Sequence, residues 1–89
     1  MKSAHNPLYI EFVANLRHAR KERGLTQGEL GRLLSQPQAF VSKVETCERR
    51  LDLVEAAEWC IVLGITLSDV MPSRLRRSVG ERPKEGTAP

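Results

Sequence analysis

Residues 24–45 of this chain, GLTQGELGRLLSQPQAFVSKVE, contain two short helix patterns that follow one another closely. The first begins at Thr26, where Thr-Gln-Gly-Glu is a capping box: the Thr26 hydroxyl accepts from the Glu29 amide and the Glu29 carboxylate reaches back. Pro37 interrupts the pattern, because proline disfavours helical backbone in the residue before it and fits the start of a new helix. The segment therefore predicts two helices joined by a turn of about three residues, the second helix running to about Thr46.

Helix signals also lie on both sides of this pair. Upstream, Asn6-Pro7 predicts a helix start and Gly24 a stop, which gives a helix ending near Arg23. Downstream, Asp52-Leu53-Val54-Glu55 is a second capping box that opens a helix ending at Gly64, and a short helix over about residues 68–71 follows. No strand pattern is present. The sequence predicts an all-α fold of five helices.

Apolar residues at helical spacing define the candidate core. The set is Leu8, Phe12, Val13, Leu16, Ala19, Leu30, Leu33, Leu34, Val41, Val44, Leu53, Ala56 or Ala57, Cys60, Leu63, Ile65, Leu67 and Val70. Trp59 is expected in the core, with a dimer interface as the alternative. Phe40 lies beside the polar face of the third helix, where it either pads the gap to the fourth helix or touches DNA.

Length and composition exclude several classes of protein. With 89 residues the chain forms one small domain, and no apolar run approaches the ~20 residues that span a bilayer. The N-terminus lacks the ~7–15 apolar residues of a secretory signal, so we expect a cytoplasmic protein. Two cysteines and two isolated histidines form no disulfide framework or metal-ligand set, and no cofactor is expected. No nucleophile and base are paired, which disfavours an enzyme.

Charge changes sign along the chain. Residues 1–44 carry seven Lys/Arg against three Glu, residues 45–71 two Arg against six acids, and residues 72–89 five bases against two acids. This asymmetry favours a basic face that meets a polyanion and a separate acidic face. We expect an N-terminal arm over residues 1–7, a folded domain over 8–71 and a flexible basic tail over 72–89.

The polar face of the third helix fits a helix-turn-helix that reads DNA. An α-helix enters the major groove, where Gln38 would bond adenine, Lys43 guanine acceptors and Ala39 a thymine methyl. Thr26, Gln27 and the first amides of the second helix would then face phosphates. The alternative is an ordinary solvated face.

Two sequence blocks at this separation are similar to those of a known family. The string Leu16-Arg17-x-x-Arg20-x-x-Arg23-Gly24-Leu25-Thr26-Gln27-x-Glu29-Leu30, with Pro37-Gln38-Ala39-Phe40-Val41-Ser42-Lys43-Val44-Glu45 and Arg49-Arg50-Leu51-Asp52, resembles the Cro/CI-type (XRE family) helix-turn-helix regulators of bacteria and phage. The likeness covers about residues 8–71. It implies a compact five-helix, lambda-repressor-like domain that binds operator DNA, usually as a two-fold dimer.

The resemblance also implies roles for individual residues. Gln38, Ala39 and Lys43, with Ser42 close by, match positions that read base edges. Gln27 matches a glutamine that bonds a phosphate and braces the first residue of the reading helix, and Thr46, Arg49 and Arg50 match backbone contacts. Arg20 and Glu45 match a structural salt bridge between the first and third helices. Cys47 and Ser35 depart from the pattern, since both stand where the family often has glycine.

Taken together, these features predict a sequence-specific regulator of transcription that binds double-stranded DNA. Because the chain shows no separate activation or effector domain, we expect a repressor that binds a palindromic operator as a homodimer. The alternative is an antitoxin or protein-interaction module of the same fold that binds a partner protein through the acidic segment 45–71 or the tail.

Overall fold

The computed structural model describes residues 6–80, and within that range it is helical without strands. The elements are α1 (Pro7–Glu22), α2 (Gln27–Leu33), α3 (Gln38–Glu45), α4 (Leu53–Leu63), α5 (Leu67–Val70) and α6 (Ser73–Gly80). The all-α prediction is confirmed, and the predicted starts of the first four helices agree with the structure to within one residue.

The predicted count of five helices is one too few, because α6 forms inside the segment predicted as a flexible tail. Pro72 is buried, and its carbonyl accepts the Leu75 amide at 2.8 Å, which opens the extra helix. Residues 73–79 contain no glycine or proline that would interrupt this helix. The rest of the predicted tail, 81–89, and residues 1–5 of the predicted arm lie outside the described residues.

Side-chain caps fix where the helices begin. The Asn6 Oδ1 accepts the Leu8 amide at 2.7 Å at the start of α1. Complete capping boxes open α2 at Thr26, α4 at Asp52 and α5 at Thr66. Each box satisfies backbone N–H groups that have no partner inside the helix, so these starts are defined locally.

The core lies where α1, α2, α3 and α4 meet. Its buried apolar residues are Phe12, Val13, Leu16, Leu30, Val41, Val44, Leu51, Ala56, Trp59, Cys60, Leu63 and Val70. Trp59 is 1% exposed, which confirms its expected place in the core, and its ring meets the Phe40 ring edge-on with centroids 6.3 Å apart. Phe40 therefore fills the gap between α3 and α4.

Two predicted core residues are exposed, Leu33 by 58% and Leu53 by 72%. In α2 the buried residues are Leu30 and Gly31, because the backbone of Gln36 and Pro37 packs against Gly31, and Leu33 lies on the solvent side. Leu53 begins α4 beyond the end of the core. It lines an open apolar cleft of about 350 Å³ with residues of α1, α5 and α6.

Candidate nucleic-acid interface

The turn between α2 and α3 is tight and includes one residue with a left-handed backbone. The Gln36 amide donates to the Gly31 carbonyl at 2.8 Å, and Ser35 adopts a left-handed backbone with φ 59°. A Cβ at Gly31 would lie 2.7 Å from the Gln36 carbonyl oxygen, so only glycine allows this approach. The turn thus holds α3 across α2 at short range.

Helix α3 has one buried and one exposed face. Val41 and Val44 are fully buried. The four predicted base-reading residues lie together on the other face: Gln38, Ala39 and Lys43 are exposed and Ser42 is half-buried. The spacing of these residues, i, i+1, i+4 and i+5, places them on adjacent turns, as a helix that enters a groove requires.

The predicted Arg20–Glu45 pair forms a bidentate salt bridge between α1 and α3. Arg20 Nε donates to Glu45 Oε2 at 2.7 Å and Arg20 Nη2 donates to Oε1 at 3.0 Å. A third donor of Arg20, Nη1, reaches the Leu25 carbonyl at 2.7 Å. Both side chains are nearly inaccessible, at 7% and 2% exposed, so the pair fixes the orientation of α3 on α1.

A chain of side-chain hydrogen bonds connects this buried pair with the exposed face. Gln27 Nε2 donates to Glu45 Oε1 at 3.0 Å, and Gln38 Nε2 donates to Gln27 Oε1 at 3.4 Å. Arg17 Nε lies 3.9 Å from the same Glu45 oxygen, with its side chain 55% exposed. Sequence reasoning left Arg17 out of the site, although it belongs to the quoted motif.

Thr26 and Thr46 occupy helix ends beside the exposed face of α3. Thr26 Oγ1 accepts the Glu29 amide at 3.0 Å, and Gln27 is the first residue of α2. Thr46 ends α3, with Oγ1 3.1 Å from the Ser42 carbonyl and 3.0 Å from Glu48 Oε2. Both residues are exposed, as the predicted contacts with DNA phosphates require.

The loop between α3 and α4 carries two arginines that stack on aromatic rings. The Arg49 guanidinium lies 4.8 Å from the Phe40 ring centroid and the Arg50 guanidinium 4.2 Å from that of Tyr9. The Tyr9 hydroxyl also accepts the Leu51 amide at 3.1 Å. Tyr9 was not predicted from the sequence. It lies three residues before Phe12, a spacing that places both on the inner side of α1 and could have identified it.

Arg49 is also bound to α4. Its two terminal nitrogens donate to the Glu55 carboxylate at 3.0 and 2.9 Å, and one of them reaches the Arg50 carbonyl at 2.8 Å. This bond raises the pKa of Arg49 and lowers the pKa of Glu55. The pair therefore fixes the loop, and a phosphate would share or replace the carboxylate.

Cys47 follows α3 with a left-handed backbone, φ 64°. The chain thus keeps the turn conformation that glycine favours, although a thiol residue occupies it. Ser35 does the same in the turn before α3. At both positions the left-handed backbone costs a residue with a side chain energy that glycine would not lose.

A compact all-α domain with two helices joined by a tight turn, the second exposing a polar face, defines the helix-turn-helix class of DNA-binding domains. A helix-turn-helix family model matches residues 16–70. A solved structure described as an XRE-family like protein from Pseudomonas syringae pv. tomato str. DC3000 is 38% identical, with a TM-score of 0.73 over 88% of this chain and 94% of that one. No curated protein matches significantly.

The chain therefore belongs to the XRE family of helix-turn-helix proteins. Its class is that of DNA-binding transcription regulators. Within residues 6–80, no helix is both long enough and apolar enough to cross a membrane.

Proposed function

We propose that this protein is a sequence-specific repressor that binds a palindromic operator as a homodimer. The observation that carries the proposal is the polar face of α3. Gln38, Ala39 and Lys43 are exposed on this face, whereas Val41 and Val44 on the opposite face are buried. Glutamine, lysine and alanine supply the donors, acceptor and methyl group that major-groove base edges recognise. Repression needs only that the bound protein and polymerase compete for the same DNA.

The backbone contacts surround this face. Phosphates on both sides of the groove would be bound by Thr26, Gln27, Thr46, Arg49 and Arg50. Such contacts set the register of α3 in the groove and do not depend on the base sequence. A two-fold dimer would place two such helices about 34 Å apart, one turn of DNA, so the operator would be palindromic.

Selection of duplex DNA from a randomised library tests this function. The purified full chain is used at near-physiological salt, and the winning site is then titrated with salt. A palindromic consensus bound at ~10⁻⁸ M or tighter is the expected result. A consensus with one half-site bound by one chain would contradict the dimer, and no enrichment would contradict the operator function.

A second candidate function, binding of a partner protein, is favoured by the outer side of α4. Val54 is 66% and Ile61 77% exposed, and with Ala57 they form an apolar stripe opposite Trp59. Leu33 and Glu58 line a shallow groove of about 230 Å³ beside Ile61. Exposed apolar patches of this kind mark protein contacts. If a partner binds here, Ile61→Arg abolishes co-purification of that partner and leaves DNA selection unchanged.

A further inference from the structure

We propose that the open apolar cleft between α1, α4, α5 and α6 is the surface through which two copies of this chain pair on DNA. Its lining residues include Leu8, Tyr9, Leu53, Met71 and Leu75. The inference rests on the proposed homodimer and names its interface. Two of its walls, the start of α1 and the start of α6, lie outside the family match over residues 16–70.

The first argument is the position of the cleft beside the proposed DNA face. Arg50 and Leu51, in the loop that follows α3, line the cleft, and Arg50 is a proposed phosphate contact. Leu53 lies three residues after Arg50, so their Cα atoms are at most ~11 Å apart. Two α3 helices about 34 Å apart on DNA place the two-fold axis about 17 Å from each. A surface that adjoins the loop after α3 can reach that axis.

The second argument is that the cleft offers both parts of a two-fold contact. In a two-fold pair the same patch faces itself, so it needs a projecting group and a recess that accepts this group. Leu53 lines the cleft and is nevertheless 72% exposed, so it projects from the wall. Tyr9, Phe12 and Met71 are buried or half-buried residues of the recess. Leu53 of each copy can therefore enter the cleft of the other, which removes apolar surface from water on both sides.

Charge favours this edge of the DNA face over the edge formed by α1. The lining of the cleft includes one charge of each sign, Arg50 and Asp52. On α1, a groove of about 230 Å³ is lined by residues that include Arg17 and Lys21. Two copies that met there would bring each of these bases close to the same bases of the other copy, and such like charges oppose association.

The apolar stripe on the outer side of α4 is the alternative surface for a second copy. The groove beside it is lined by Leu33, Leu34, Glu58, Ile61 and Val62, none of which is a proposed DNA contact. The cleft shares Arg50 with the DNA face, so pairing at the cleft fixes the spacing of two α3 helices through a short connection.

The test separates the contact between copies from the contact with DNA. Duplexes carry either the selected palindrome or one half-site, and cooperativity is the gain in affinity of the palindrome over two independent half-sites. In Leu53→Glu the cooperativity should fall about tenfold or more, because two carboxylates would enter apolar clefts in each dimer. An effect of the new charge on DNA binding itself appears at the half-site and cancels in this ratio.

Ile61→Glu is the matched control. Ile61 is 77% exposed on the same helix and lies outside the cleft, so this variant should keep the cooperativity of the wild type. Leu53→Glu should fold, because Leu53 is the first residue of α4 and an acidic side chain in the first turn stabilises a helix. Circular dichroism checks this. Leu75→Glu changes the wall that α6 forms and should lower cooperativity in the same way.

Unchanged cooperativity in Leu53→Glu, with the palindrome still selected, would overturn this interface and leave the proposed function standing. Loss in Ile61→Glu alone would move the pairing surface to the outer side of α4. Equal loss in both variants would show an effect of charge alone and would also overturn the interface. A wild-type chain that binds half-sites without cooperativity would refute the homodimer, and one that selects no sequence would refute the operator function; either result removes this inference as well.

A measurement on the wild-type complex does not depend on any variant. A dimer assembled on the palindrome from isotope-labelled and unlabelled chains should show nuclear Overhauser contacts between copies, from the Leu53 methyl groups of one to the Met71 methyl group or the Tyr9 ring of the other. Contacts between copies at Ile61 in place of Leu53 would contradict the proposed interface.

Discussion

Gln38 and Lys43 lie on the same face of α3, but the protein holds them differently. Gln38 is bonded to Gln27, whereas Lys43 extends from α3 with no side-chain bond to the described residues. A preorganised amide reads a base edge with little further ordering, while the lysine loses its rotamer freedom only when it binds. The two residues should therefore contribute to specificity through separate base pairs.

Lys43→Ala should weaken binding to the selected site by ~1–3 kcal/mol and relax preference at one base pair, because it removes a contact to a base edge. Titrations of the selected duplex and of a random duplex measure the effect. Equal loss on both duplexes would show that Lys43 contacts a phosphate instead.

Ser35→Gly should stabilise the fold by up to about 1 kcal/mol. A left-handed backbone costs a residue with a side chain roughly 1–2 kcal/mol, and the greater entropy of unfolded glycine offsets part of the gain. Ser35 has φ 59° and an exposed side chain, so little packing is lost. Urea denaturation measures the change. The control Ser35→Ala keeps the strain and should give no gain.

At the scale of elements, the turn that leads from α2 into α3 depends on Gly31. Gly31→Ala should destabilise the domain by ~1–3 kcal/mol, since the added methyl would lie 2.7 Å from the Gln36 carbonyl oxygen, a backbone atom that cannot move cheaply. Gly28→Ala is the matched control on the same helix, where the nearest atom is at 3.9 Å. Thermal unfolding compares the two, and equal effects would contradict the close approach.

The helix caps make stability depend on pH in the acid range. Hydrogen bonds from the N-cap amides lower the pKa of Glu29 and Asp69, and the Arg49 bond, followed by the Asp52 amide, lowers that of Glu55. Because folding favours the ionised forms, this stabilisation is complete above the ordinary carboxyl pKa of about 4 and is lost as pH falls through the lowered values.

Urea denaturation at about pH 6 and pH 3 measures this loss. Glu55→Gln should show a smaller drop in unfolding free energy between the two pH values than the wild type, since it lacks one of the lowered carboxyl groups. Glu58→Gln, which changes an acid of the same helix outside the capping box, is the matched control. An identical drop in Glu55→Gln and the wild type would refute the assignment.

At the scale of the molecule, Arg49 is a proposed phosphate contact that also pairs with Glu55 of α4. Arg49→Ala should weaken binding to all duplexes alike and lower the slope of log affinity against log salt by about one, because one phosphate contact is lost. Glu55→Gln is the control, since it breaks the ion pair and keeps the arginine. An unchanged slope in Arg49→Ala would place Arg49 in the loop architecture alone.

Much of the fold was predictable because its signals are local. Thr26 with Glu29, Asp52 with Glu55, and Asn6 with Pro7 mark helix starts through bonds between residues two or three positions apart, and the structure has helices starting there. Apolar spacing predicted most of the core for the same reason. The helix after Pro72 was not predicted, because its segment is as poor in apolar residues as a flexible tail. Its start also depends on the burial of Pro72, which the sequence does not show.

The sequence by itself therefore determined the helix starts, the class of fold and the polar composition of the face on α3. Only the tertiary structure decided which groups pair across elements: Gln27 with Glu45, Arg49 with Glu55, Arg50 with Tyr9, and the exposure of Leu33. These pairings depend on how helices cross, and a crossing is decided by the packing of all neighbouring side chains at once, whereas a cap depends only on a few adjacent residues.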